Sequence, residues 1–173
     1  MADFYILKSD KRLSDAIEIK GAHKVINKEH IKTNSLQFLD SKPVMFHIED
    51  KGVYPDFIEE PLPLVSNKVK TLFDEMNLKN IFYRIVCLVD LKKMTSQLYW
   101  LTIPDKINCL SDTSEFNRDG SIKTLRIEKE KVGYYKVFKI NGILEDLIIV
   151  DEDIANIAAA NFYGCIFSKI EAV

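Results

Sequence analysis

The sequence predicts an α+β fold: a largely antiparallel sheet, two main helices packed on it, and a strand-rich N-terminal extension. Three observations carry this. Short alternating apolar runs recur along the chain and are separated by turn formers, the signature of strands joined by hairpins. Two segments instead repeat apolar residues at helical spacing behind a capping residue, Ser66 and Asp151. At 173 residues, 47% hydrophobic and 29% charged, the chain has the size and composition of a folded domain. A weak, polar pattern before Tyr54 divides it into an N-terminal segment, residues 1–53, packed on a main domain over 54–173.

The first strand is expected over Phe4–Lys8, with Phe4 and Ile6 on one face and Tyr5 and Leu7 on the other. Ser9 to Asn34 is polar, with scattered isoleucines. Ser35–Asp40 and Val44–Glu49 are further strand candidates, separated by turn chemistry at Asp40-Ser41-Lys42-Pro43. Pro61 and Pro63 keep the chain extended up to Leu64. Ser66 then caps a helix whose apolar face is Val69, Leu72, Phe73 and Met76, closed by Asn77 or Asn80.

Ile81–Val89 is the most apolar strand and Gln97–Ile103 its antiparallel partner, stopped by Pro104-Asp105. Ile107–Gly120 reads as a long loop. Ser121–Glu128 resumes alternation, and Asn141-Gly142 predicts a hairpin pairing Tyr134–Ile140 with Ile143–Val150. Asp151, with Glu152 and Asp153 behind it, caps the second helix, whose face is Ile154, Ile157, Ala158 and Phe162. Gly164 ends it, and Cys165–Ile170 returns as a last strand.

Composition limits the function classes. A net charge of −2 offers no bulk attraction to nucleic acid or anionic lipid. No apolar run approaches the roughly 18 residues of a membrane span, and Met1–Lys8 lacks a basic leader. Cys87, Cys109 and Cys165 have no paired spacing and read as reduced thiols of a cytoplasmic protein. His23, His30 and His47 lack metal-ligand spacing, no serine sits in a nucleophile elbow, and the six glycines form no phosphate loop. No metal, cofactor or catalytic residue is expected.

The acids Glu59-Glu60, Glu145-Asp146 and Asp151-Glu152-Asp153 suit general acid–base work only if buried beside a ligand; solvated and capping roles are expected instead. Lys123, Arg126, Lys129, Lys131 and Lys136, with Tyr134 and Tyr135 among them, are interrupted by Glu128 and Glu130 and read as a mixed-charge surface. Tyr99 and Trp100 must face opposite ways, one into the core and one toward the surface.

Two stretches carry a resemblance. Pro61-Leu62-Pro63-Leu64-Val65-Ser66-Asn67-Lys68-Val69-Lys70 is similar to the "plpLvS" helix lead-in of a bacterial family of immunity proteins of polymorphic toxin systems. Leu147–Ala155 with Asn161-Phe162-Tyr163-Gly164-Cys165-Ile166-Phe167 resembles that family's ending, an apolar strand, an acid-capped helix and a Gly-x-x-Phe close, and Phe4–Leu7 fits its opening.

The resemblance implies a cytoplasmic protein, monomeric or weakly dimeric, that binds a cognate toxin and blocks it without catalysis. Contact residues are then expected on two loops and one strand: Tyr54, Asp56, Glu59 and Glu60; Asp112, Glu115 and Asp119; and Tyr99 or Trp100 as an aromatic anchor. Two rival readings are a small-molecule binder or enzyme with a cleft formed by His47 and acidic residues, and a homodimeric interaction module.

Overall fold

Two mixed sheets, rather than one antiparallel sheet, organise the chain. The computed structural model describes residues 3–49 and 51–173; Met1, Ala2 and Asp50, and with them the start of the Met1–Lys8 reading, lie outside the described residues. The elements are β1 (Phe4–Ser9), β2 (Glu18–Ile19), α1 (Lys28–Lys32), β3 (Val44–Glu49), β4 (Phe57–Ile58), β5 (Leu64–Ser66), α2 (Asn67–Glu75), β6 (Ile81–Asp90) and β7 (Thr95–Pro104). They continue as β8 (Lys106–Ile107), β9 (Glu115–Phe116), β10 (Ile122–Thr124), β11 (Arg126–Ile127), α3 (Lys129–Val132), β12 (Val137–Ile140), β13 (Ile148–Asp151), α4 (Glu152–Asn161) and β14 (Cys165–Ala172).

The first sheet has the order β11-β14-β1-β13-β12-β8 and the second β2-β3-β6-β7-β5-β4, with β9 and β10 as a separate hairpin. Most neighbours are antiparallel. Three pairs are parallel: β3 with β6, β8 with β12, and β11 with β14. A parallel neighbour needs a crossover, and β3 reaches β6 only after the chain has built β4, β5 and α2. Alternation along one strand does not encode that detour. The segment before Tyr54 is shared: β1 lies inside the first sheet, and β2 and β3 form one side of the second.

Both predicted helices form where their caps stand. The Ser66 hydroxyl accepts the Val69 N–H at 3.4 Å, and Asp151 Oδ1 accepts that of Ile154 at 3.0 Å. Their buried faces meet in one apolar cluster: Val69 and Phe73 from α2, Ile154 and Ala155 from α4, Val65 from the second sheet, and Leu7 and Val150 from the first. At about 1.5–3 kcal/mol for each large side chain removed from water, this cluster is a main tie between the sheets. Phe4 and Ile6 take the opposite side of β1, where Phe138, Ile149 and Ile127 pack. Beneath the second sheet, Ile17, Ile26 and Ile31 cover Phe46, Val86, Leu88 and Leu101.

Three expectations are corrected. Ser35–Asp40 holds no strand; Leu36–Phe38 is a 3-10 turn, with Phe38 N–H bonded to Ser35 O at 3.1 Å. Ile107–Gly120 is not wholly loop, because β9 turns back on β10 and Leu110 bridges to Ile127. Finally, β12 and β13 pair, but not through a two-residue Asn141-Gly142 turn. Lys139 opposes Ile148, and Asn141–Leu147 bulges out, carrying Glu145 and Asp146 to partners elsewhere.

Candidate functional site

Along β6, burial alternates. Arg84, Val86, Leu88 and Asp90 are buried, while Tyr83, Ile85, Cys87 and Val89 are half-buried on the other face. On that second face, α2 packs over Val65, Tyr83 and Trp100 at the near end. Farther out, Cys87 lies in register between Met45 of β3 and Leu98 of β7, and Val89 between His47 and Ser96. Met45 is 57% and Leu98 42% exposed. The result is an apolar sheet face three strands wide that no other described element covers.

Trp100 stands at its margin. Its Nε1–H donates to Asn67 Oδ1 at 3.1 Å, its ring meets Tyr83 edge-on with centroids 6.2 Å apart, and the Lys70 ammonium lies 5.0 Å from the indole ring and 4.4 Å from that of Tyr83. Tyr99 faces the other way, as alternation requires. It is 2% exposed, its hydroxyl donates to Pro55 O at 2.7 Å, and burial pushes its phenol well above the ordinary value. Of the two aromatic candidates only Trp100 is accessible.

The candidates on the first loop also divide. Tyr54 is half-buried against the cluster beneath the second sheet. Asp56, 8% exposed, is a structural clasp: Oδ1 accepts the Ser66 hydroxyl at 2.5 Å and Oδ2 accepts the Tyr163 N–H at 2.8 Å. Neither Asp56 nor Tyr99 presents a surface in this fold, because each is enclosed by the bonds that position it.

Glu59 and Glu60 instead reach a cleft of about 380 Å³ that they share with Glu145, Asp146, Lys28 and Lys32 over a floor of Leu7, Ile31, Phe57 and Ile148. Glu60 pairs with Lys28 at 2.9 Å, and Glu59 Oε2 accepts the Ser9 N–H at 3.3 Å. Glu145 Oε1 accepts the Ile122 N–H at 2.7 Å, while its Oε2 is buried without a hydrogen-bond partner. Asp146 is compensated by Lys139, an ammonium 2% exposed that also donates to Ile31 O and Asn34 Oδ1, both at 2.9 Å. Burial lowers the Lys139 pKa, against the pull of Asp146. His47 is not part of this cleft; it is exposed and borders a shallow depression with Glu49 and Lys92.

The loop acids Asp112, Glu115 and Asp119 are exposed. Glu115 pairs with Lys123 at 2.8 Å, and Asp119 Oδ1 accepts the Ser121 N–H and hydroxyl at 3.0 and 2.6 Å. The neighbouring cations are paired as well: Arg126 with Glu171, Lys131 with Glu128, and Lys136 with Asp151 and Asp153. Buried Cys109 is pushed up to about 11 and Cys165 to about 12, chiefly by burial. Among the described residues no cluster of three His, Cys, Asp or Glu side chains is placed to hold a metal, and no helix is long and apolar enough to cross a membrane.

Sequence reasoning singled out Tyr99 and Trp100 but not the apolar face beside Trp100. The signal was present, since Ile81–Val89 is apolar on both sides, and such a strand reads as covered on both. The approach of Glu59-Glu60 to Glu145-Asp146 was hidden because more than eighty residues separate the pairs. No protein-family model matches the chain, and no curated protein sequence matches it.

Proposed function

We propose that this protein binds and blocks a cognate toxin domain in the cytoplasm by occlusion, without chemistry of its own. The resemblance described above suggests the partner. The observation that carries the reading is the uncovered face of β3, β6 and β7, where Met45, Cys87 and Leu98 lie side by side with Trp100 at the edge. Exposed apolar area of this kind, with an aromatic anchor beside it, is the common ground of protein interfaces. Co-expression with any toxin domain that its gene neighbourhood proves to encode tests the proposal. Restored growth and a co-purifying complex are expected; unrelieved toxicity with no complex contradicts it.

The cleft of Glu59, Glu60, Glu145 and Asp146 favours a second reading, a binder of a small cationic molecule. Calorimetric titration with a polyamine such as spermidine separates the two. Saturable heat lost in Glu145→Gln supports the second, and its absence leaves the first.

A further inference from the structure

We infer that the cleft between α1 and the Phe57–Pro63 stretch takes a small zwitterion with an apolar body, a free α-amino acid such as leucine or phenylalanine, bridging Lys32 and Glu59. The inference rests on the second reading above, that this cleft is a binding site, and narrows its ligand from a cation to a molecule with both charges. Most of the charge around the cleft already has a partner. Glu60 is paired with Lys28 and Asp146 with Lys139, while Glu145 accepts the Ile122 N–H through one oxygen and keeps the other out of solvent. Glu29 is exposed. Lys32 and Glu59 remain, both half-buried and both lining the cleft. Among the described residues the Lys32 ammonium makes no hydrogen bond or ion pair. Glu59 binds the Ser9 N–H through Oε2 alone, and the two side chains do not pair with each other.

Both charges stand on fixed backbone. Ile31 O and Asn34 Oδ1, on either side of Lys32 in the chain, accept from the buried Lys139 ammonium at 2.9 Å. The Glu59 N–H donates to Ser9 Oγ at 2.7 Å, and Glu59 Oε2 accepts the Ser9 N–H in return at 3.3 Å. A site held in this way needs little ordering when a ligand arrives. Its floor of Leu7, Ile31, Phe57 and Ile148 is apolar, and Pro61 and Pro63 in its lining have no N–H to offer a carboxylate.

The complement follows from those parts: a carboxylate at Lys32, an ammonium at Glu59 and a hydrocarbon side chain over the floor. A polyamine would set a cation against Lys32, and a fatty acid would set a carboxylate against Glu59. Only a ligand carrying both signs meets attraction at both ends. The volume of about 380 Å³ suits an amino acid, since it lies near the lower end of the roughly 300–1,000 Å³ that ligand sites span.

Calorimetric titration of the full chain tests this with L-leucine, L-phenylalanine, isoamylamine (leucine without its carboxylate) and isocaproate (leucine without its ammonium). Saturable binding of an amino acid is expected, with the two single-charge analogues weaker by roughly tenfold or more. Lys32→Met and Glu59→Gln keep the side-chain length, and unchanged melting temperatures verify the fold. Each is expected to weaken the amino acid roughly tenfold, while Lys79→Met on the exposed turn before β6 leaves it unchanged. Lys32→Met is expected to spare isoamylamine and Glu59→Gln to spare isocaproate, a division that general damage to the cleft would not produce.

Isoamylamine or spermidine bound as tightly as the amino acids, with Lys32→Met silent, overturns the zwitterion and leaves the cationic reading of the cleft standing. No saturable heat from any probe at up to about 5 mM removes both. An amino acid bound with wild-type affinity by both variants sits elsewhere and likewise overturns the assignment.

Discussion

Asp56 Oδ2 accepts the backbone N–H of Tyr163 at 2.8 Å, joining positions 107 residues apart. The bond closes a knot. Asp56 N–H donates back to Tyr163 O at 2.7 Å, Asp56 O accepts the Ser66 N–H at 2.9 Å, and the second carboxylate oxygen takes the hydroxyl that caps α2. Gly164 completes it. At φ 76°, it lies so close to Pro55 that an added Cβ would stand 2.5 Å from the proline Cβ. The lead-in to α2 and the turn between α4 and β14 therefore meet at one point, through residues whose task is structural.

Asp56→Ala leaves the half-buried Ser66 hydroxyl and the Tyr163 backbone N–H without their acceptor. A loss of about 2–4 kcal/mol of stability is expected, because each orphaned group costs about 1–3 kcal/mol. Thermal unfolding checks it. Gly164→Ala is expected to destabilise as well, through the clash with Pro55 and the left-handed backbone.

Lys139→Met removes an ammonium that donates to Ile31 O and Asn34 Oδ1 and is ion-paired with Asp146, and leaves the Asp146 carboxylate without its cation. Breaking a buried pair from one side costs about 3–5 kcal/mol. Faster amide exchange over residues 28–34 is expected with it, since Lys139 ties that segment to the first sheet. Lys139→Met/Asp146→Leu should recover part of the loss.

Alkaline pH should weaken the fold from the thiols upward. In the folded chain Cys109 keeps its proton to about 11 and Cys165 to about 12. An unfolded thiol releases it near 8.5, so above about pH 8.5 the folded state holds more protons and stability falls as pH rises. The enclosed hydroxyls of half-buried Tyr83 and buried Tyr99, raised in the same way, extend the decline above about pH 10. Lys139 works in the opposite sense: its lowered pKa makes the unfolded chain the better proton binder just below the ordinary lysine value. Denaturant titrations from pH 7 to 11 should show a net fall, reduced in Cys109→Ala relative to that variant's own value at pH 7.

Trp100 is the only tryptophan in the chain, so its fluorescence reports on the margin of the uncovered face. Titration with the toxin domain's non-tryptophan variant is expected to shift the emission to the blue and to saturate. Trp100→Phe should keep most of the packing on Tyr83 while weakening the complex by about 1–2 kcal/mol.

Much of the fold was legible where local rules act alone. Ser66 and Asp151 marked both long helices because caps are read within three residues, and Ile81–Val89 announced one of the two longest described strands by composition. The split into two sheets was not legible, because β3 chooses β6 as a parallel neighbour through contacts between Val44 and Val86 that no spacing encodes. The site was legible in one residue of each kind. Trp100 was found by alternation, whereas Tyr99 and Asp56 have the composition of contact residues and the burial of structural ones. Met45 was passed over because an apolar residue in a strand reads as core until the covering element is seen to stop short, and the exposed Leu91 and Met94 because Leu91–Ser96 reads as a polar connection.

The central claim is that a protein partner covers the face of β3, β6 and β7, and Cys87 lies in the middle of that face between Met45 and Leu98. Its alkylation rate, followed by mass spectrometry in the free protein and in the complex with the toxin domain, reads the claim directly. The account predicts that the complex slows Cys87 roughly tenfold or more while Cys165 reacts as before. An equal Cys87 rate in a complex shown to have formed contradicts it.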